Sequence, residues 1–166
     1  MSDADAADGA SGGEGPDERL AALGLTLPPV VTPLAAYVPA VRAGSMVYTA
    51  GQLPMVDGQL VSAGKVGADV GAAEAAALAR TCALNALAAA ASAAGGLSSI
   101  KRIVKLTGYV ASAPDFTGQP QVVNGASELL LEIFGDAGRH ARSAVGMAVL
   151  PLDAPVEIEL IVEVRD

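Results

Sequence analysis

The chain has 166 residues, a net charge of −8 and 52% hydrophobic residues, yet 35 positions are alanine and only 3% are aromatic. That length suits one domain with a real core, while the acid excess and shortage of rings argue against a phosphate-backbone track or a base-stacking platform, so no nucleic-acid partner is expected. The single cysteine, Cys82, excludes an internal disulfide and a cysteine-built metal cage; it reads as a small core residue in a reducing, cytoplasmic setting.

Six of the 18 acids lie in the first 18 residues, which hold no base, so the rest of the chain is nearly balanced. Residues 1–16 are mostly Ala, Asp, Gly and Ser with no large apolar side chain after Met1, and they predict an acidic tail that cannot offset its ordering entropy. Nothing in that start resembles a signal peptide. Residues 17–166 then form one domain. A short helix is expected over 19–27, stopped by Pro28-Pro29. Residues 46–53 read as a strand, and Asp57-Gly58 marks a hairpin turn between Met55-Val56 and Gln59-Leu60-Val61.

Asp69 is a candidate N-cap for a long alanine-rich helix running to Ala94, with Gly95-Gly96 as its stop. Residues 81–100 carry no charge, but alanine inserts weakly into lipid and the glycine pair would break a span, so this is a soluble helix and no membrane partner is expected. Residues 101–111 alternate, with Val104, Leu106 and Val110 on one side and Lys105, Thr107 and Tyr109 on the other. Pro114 and Pro120 bracket a loop, residues 122–134 show helical spacing, and Gly135 ends them. Two strands close the chain, 142–149 and 156–164.

This order predicts an α+β fold in which a mixed six-stranded sheet carries two helices on one face. In the last strand Val156, Ile158, Leu160, Val162 and Val164 face the helices, while Glu157, Glu159, Ile161 and Glu163 face away. In the strand before it, Arg142, Ala144, Gly146 and Ala148 form a face of mostly small residues. Three glutamates and Arg142 are expected on the face turned from the helices, and a sheet face of such mixed polarity suits a subunit interface, whose polar residues can form a cleft.

Arg142 is the first candidate for chemistry, because a guanidinium near a strand end can hold a carboxylate through two parallel hydrogen bonds. Taken alone, a surface arginine paired with a nearby glutamate is the more frequent arrangement. Glu157 can accept a proton or position a water if partly buried; its commoner role is as a cross-strand partner of a base. His140, the only histidine, builds neither a metal site nor a triad by itself and is by default a loop residue. No dinucleotide fingerprint or phosphate loop is present, so no cofactor and no metal are expected.

The run Ala141-Arg142-Ser143, then Leu150-Pro151, then Val156-Glu157-Ile158-Glu159 resembles the C-terminal signature of the RidA family, also called the YjgF family. Upstream, Thr49-Ala50-Gly51-Gln52-Leu53-Pro54 resembles the family's Gly-Gln-hydrophobic-Pro segment. Gly44 and Tyr37 stand at the expected positions, and Asp115-Phe116 followed by Asn124 resembles the lead into the second helix. The similarity runs from about Val31 to the end.

It implies a chorismate-mutase-like fold, assembly as a homotrimer around a central barrel, and three clefts between subunits. It also implies cofactor-independent hydrolysis of imines and enamines such as 2-aminoacrylate to 2-keto acids and ammonia. Carried over by position, Arg142 clamps the substrate carboxylate, Glu157 stands near the attacking water, and Tyr37, Ala50, Gly51, Asn124 and Ala144 line the cleft. Two positions depart from the pattern: Ala50 replaces a hydroxyl and Ala144 a cysteine. Both changes remove hydrogen-bonding capacity and enlarge the pocket. The leading expectation is a deaminase of a divergent branch. The alternatives are a non-catalytic protein that binds a small carboxylate in the same cleft, and an interaction protein that uses its acidic tail.

Overall fold

A computed structural model describes residues 14–30 and 36–165. The expected acidic tail lies mostly outside the described residues, and its last residue, Pro16, already opens helix α1 (Pro16–Ala22). The helix thus begins before the expected residue 19. Proline at the first helical position costs no hydrogen bond, and Asp17 and Glu18 suit the positive end of the helix dipole. It also stops short of Pro28, because Gly24 turns left-handed at φ 70°.

Strands β1 (Ala40–Ala43) and β2 (Met46–Thr49) form a tight hairpin, and β3 (Met55–Val56) and β4 (Gln59–Leu60) form another. Then follow α2 (Ala72–Ala94), β5 (Ile100–Ala111), α3 (Gln119–Phe134), β6 (Ala141–Met147) and β7 (Val156–Val164). The main sheet has five strands in the order β1-β2-β7-β5-β6, and only the β5–β6 pair is parallel. The expected count of six differs for two reasons. Among the described residues the β3–β4 ribbon pairs only with itself, and the unanticipated β1 joins the sheet edge. The strand expected over 46–53 breaks after Thr49 and touches the sheet again only where Gln52 pairs with Ile158.

The core lies between one sheet face and the helices. Strand β7 alternates strictly, with Val156, Ile158, Leu160, Val162 and Val164 buried as expected. Strand β5 does not, because register shifts interrupt its pairing with β7 near residues 100–105. Ile103 therefore enters the core, and Val104, expected inward, is only half-buried.

Helix α2 is capped by Gly71 instead of Asp69, whose carboxylate accepts the Lys65 amide at 3.0 Å and closes the preceding turn. Nine of its twelve buried residues are alanine. It is long and apolar enough to cross a bilayer, but 61% of its most apolar window is buried inside the domain. These small side chains let α3 approach closely: a Cβ on Gly125 would stand 1.9 Å from the Ala76 carbonyl oxygen. Pro120, expected in a loop, sits in the first turn of α3, where its missing N–H costs nothing.

Candidate functional site

Register decides where the candidate residues point. Arg142 pairs across β5 with Leu106, and Ala144 with Gly108. Leu106 is fully buried beneath the helices, so Arg142 and Ala144 share the helix-covered face. Glu157 pairs with Tyr109 on the other face. The two principal candidates thus lie on opposite faces of the same sheet, and not together on the face turned from the helices as expected, because the parallel register of β6 sets Arg142 beside a helix-facing residue of β5.

On the helix side, Arg142 Nη1 donates to Asn124 Oδ1 at 2.7 Å and to Ser127 Oγ at 3.3 Å, both on α3. Asn124 and Ser127 are three positions apart, one helical turn, which puts them side by side facing β6. No carboxylate stands within salt-bridge distance of Arg142 among the described residues. The frequent alternative, an arginine neutralised by a neighbouring glutamate, is therefore not what the chain builds. Neutral acceptors hold the guanidinium and leave its charge uncompensated. Sequence reasoning named Asn124 but missed Ser127; the three-residue spacing from Asn124 was the available signal.

His140 belongs to the same cluster, its Nε2 2.9 Å from Ser127 Oγ and its Nδ1 2.6 Å from the Gly138 carbonyl oxygen. Its expected role as a loop histidine missed this contact because β6 meets α3 only in three dimensions. A hollow of about 310 Å³ opens here, lined by Ser127, Leu131, Arg139, His140 and Arg142.

On the outer face, Glu157 is half-buried and makes no side-chain ion pair among the described residues. Gly51 fits directly against it: a Cβ at position 51 would fall 1.8 Å from Glu157 Oε1. Paired hydrogen bonds hold that approach, Gln52 N to Ile158 O at 2.8 Å and Ile158 N to Gln52 O at 3.0 Å. Burial pushes the Glu157 carboxyl above its ordinary value, and the nearby Glu159 charge adds to the rise. Tyr109 donates to Glu159 at 3.0 Å, and its hydroxyl is also raised, by burial first and then by Glu159. Ala50 is half-buried beside Gly51, while Tyr37 is 59% exposed. Cys82 is fully buried with its thiol pushed well up by burial, an inert core residue as expected.

Residues 17–164 match the model of the family described as YjgF/chorismate mutase-like, putative endoribonuclease. The chain belongs to this family. It is 43% identical over 149 residues to protein TCP17 of Trypanosoma cruzi, covering 89% of this chain and 93% of that one. Among solved structures, it resembles the Agrobacterium tumefaciens protein Atu1372, of unknown function, with 48% identity, a TM-score of 0.84 and coverage of 90% and 92%. It resembles Escherichia coli TdcF with bound serine less closely, at 27% identity and a TM-score of 0.61, covering 82% of this chain and 94% of TdcF. The fold is thus the YjgF fold, in a form nearer to Atu1372 than to TdcF.

Proposed function

We propose that this YjgF-family protein hydrolyses small imino or enamino acids of the 2-aminoacrylate type, in clefts where the Arg142 half-site of one copy meets the Glu157 half-site of the next. One observation carries the proposal. Arg142 is held ready by neutral partners, with no carboxylate among the described residues within salt-bridge distance. A small acid supplies that missing counter-charge through a bidentate contact.

The chemistry asks little more of the protein. After enamine-to-imine tautomerisation, the C2 carbon is electrophilic. Glu157 takes a proton from a water as its oxygen adds to C2. That proton passes to nitrogen to give the carbinolamine; its hydroxyl then surrenders the second proton to nitrogen through Glu157 as the C=O bond forms, the C–N bond breaks, and ammonia leaves a 2-keto acid behind. A carboxyl with a raised proton affinity suits both halves of this exchange. Orientation supplies most of the remaining advantage. The net charge of −8 does not oppose an acidic substrate, because the local field of Arg142 governs entry. That same charge, together with the few aromatic residues, disfavours RNA as the substrate.

The outer sheet face suits contact between copies. It exposes Val41, Tyr48, Val145 and Met147, a patch that a homotrimer of the family's kind would cover. A cytoplasmic site of action agrees with the free, buried thiol.

A second reading has its own support. Ala50 and Ala144 remove two polar groups from the cleft, and TdcF was crystallised with serine, an amino acid that carries a carboxylate. The protein would then bind a small carboxylate without turning it over. Ammonia release from freshly generated 2-aminoacrylate, compared between wild type and Arg142→Ala, separates the two. Arginine-dependent acceleration supports the deaminase. No acceleration by a folded wild type, combined with ligand-induced thermal stabilisation lost in Arg142→Ala, moves the assignment to binding.

A further inference from the structure

Ser127 and His140 are absent from the cleft residues that the family pattern carries over, yet they fix the chemistry of Arg142. The Gly138 carbonyl oxygen is 2.6 Å from His140 Nδ1. A carbonyl only accepts, so Nδ1 carries a proton. In the neutral ring Nε2 is then a lone-pair acceptor, and Ser127 Oγ, 2.9 Å away, donates to it. That commits the serine proton and leaves the Oγ lone pairs for Arg142 Nη1 at 3.3 Å. Nη1 has two hydrogens, and the other goes to Asn124 Oδ1 at 2.7 Å.

Both hydrogens of Nη1 are thereby occupied. The edge formed by Nε and Nη2 is the remaining two-pronged donor. We propose that the Gly138–His140–Ser127 relay positions Arg142 and selects this edge to receive the ligand carboxylate. His140 acts through Ser127 and is a positioning residue. Gly138 is buried, so the relay starts from a fixed point of the fold. Without His140, the Ser127 hydroxyl is free to turn back to a carbonyl of its own helix, as mid-helix serines do. Nη1 would then lose an acceptor, and the guanidinium could offer more than one edge. The proposal rests on Arg142 being the carboxylate clamp, and the experiment separates the two claims.

His140 is the only histidine, so in untagged protein its imidazole nitrogens are assigned without further work. Long-range proton–nitrogen correlation should show Nδ1 protonated and Nε2 as an acceptor in the neutral ring, with the Nε2 signal moving in Ser127→Ala. Titration with 2-oxobutanoate, and with 2-oxobutanamide as an uncharged control, gives the functional readout. Ser127→Ala and His140→Phe should each weaken 2-oxobutanoate binding by roughly three- to tenfold, the scale of one lost hydrogen bond. The double variant should be no weaker than either single one, because both break one relay. Ser127→Thr and His140→Gln, which restore the hydroxyl and an acceptor near Nε2, should recover affinity. The amide should respond to none of them.

Two results overturn the relay and leave the clamp standing: an Nε2-protonated neutral ring, or wild-type affinity in both Ser127→Ala and His140→Phe while Arg142→Ala fails to bind. Undiminished binding in Arg142→Ala, or none in the wild type, removes the clamp and the relay together.

Discussion

Gly51→Ala tests whether the position of Glu157 matters apart from its presence. The added methyl would be centred 1.8 Å from Glu157 Oε1, 2.7 Å from Cδ and 3.0 Å from Cγ. A carbon and an oxygen settle at about 3.3 Å, so the carboxylate must retreat by roughly 1.5 Å. The backbone cannot yield instead, because paired hydrogen bonds between Gln52 and Ile158 pin the two segments together. A half-buried carboxylate at the end of a flexible side chain can swing away, and Gly51 does not adopt a left-handed backbone. Stability should therefore change by no more than about 1 kcal/mol. Turnover should fall about 100-fold, the scale of a 1 Å misplacement of a reacting group. Ammonia release from 2-aminoacrylate measures the rate, and thermal unfolding measures the fold. Full activity in a folded Gly51→Ala protein would refute the role given to Glu157. A large loss of stability would refute the claim that the side chain yields first.

Glu157 also predicts a pH dependence. Because its folded carboxyl holds a proton more tightly than the unfolded one, native stability falls as pH rises through the interval between the two values and then levels off. Glu157→Gln should consequently gain stability relative to wild type as pH climbs through that interval, with no relative gain below it; a pH-independent difference in melting temperature would contradict this. The acid limb of the wild-type rate profile should lie above that of an ordinary glutamate, and Glu159→Gln should move it down by removing the neighbouring charge. Gly125→Ala should cost about 1–3 kcal/mol in denaturant unfolding, since its methyl meets the backbone of Ala76 and no flexible side chain. Ile103→Ala should cost about 2–4 kcal/mol and Val104→Ala under about 1, the reverse of what plain alternation along β5 would give.

Strand β7 was legible because one face is buried along its whole length, which leaves a strict period of two in the residues. Strand β5 was not, because Ile103 and Val104 are apolar neighbours and a bulge can set either one inward. The edge strand β1 was invisible for a different cause: only Val41 in Ala40–Ala43 favours a strand, and the pairing is imposed by the turn through Gly44 and by β2. Arg142, Glu157, Gly51 and Asn124 could be named from short motifs. That Arg142 and Glu157 face opposite ways could not, because it depends on the registers of β5 with two different partners. Nor could the partnership of Ser127 with His140, which exists only because α3 lies over β6.

This opposed orientation has a consequence for assembly. The Arg142 patch and the Glu157 patch are different surfaces of one chain, so a contact that joins them is head-to-tail. Head-to-tail contacts close into rings where the rotation between copies closes, whereas a twofold contact is made by one continuous surface shared by both copies. The proposed cleft takes Arg142 from one copy and Glu157 from the next, which a mixing experiment can read. Arg142→Ala and Glu157→Gln chains should each be inactive alone. Unfolded together in equal amounts and refolded, they should recover about one quarter of wild-type turnover, because at random a cleft receives an intact arginine and an intact glutamate with probability one half each. The quarter is independent of how many copies close the ring. Recovery near zero, from assemblies shown by mass to contain both chains, would place Arg142 and Glu157 in separate sites and end the shared-cleft mechanism.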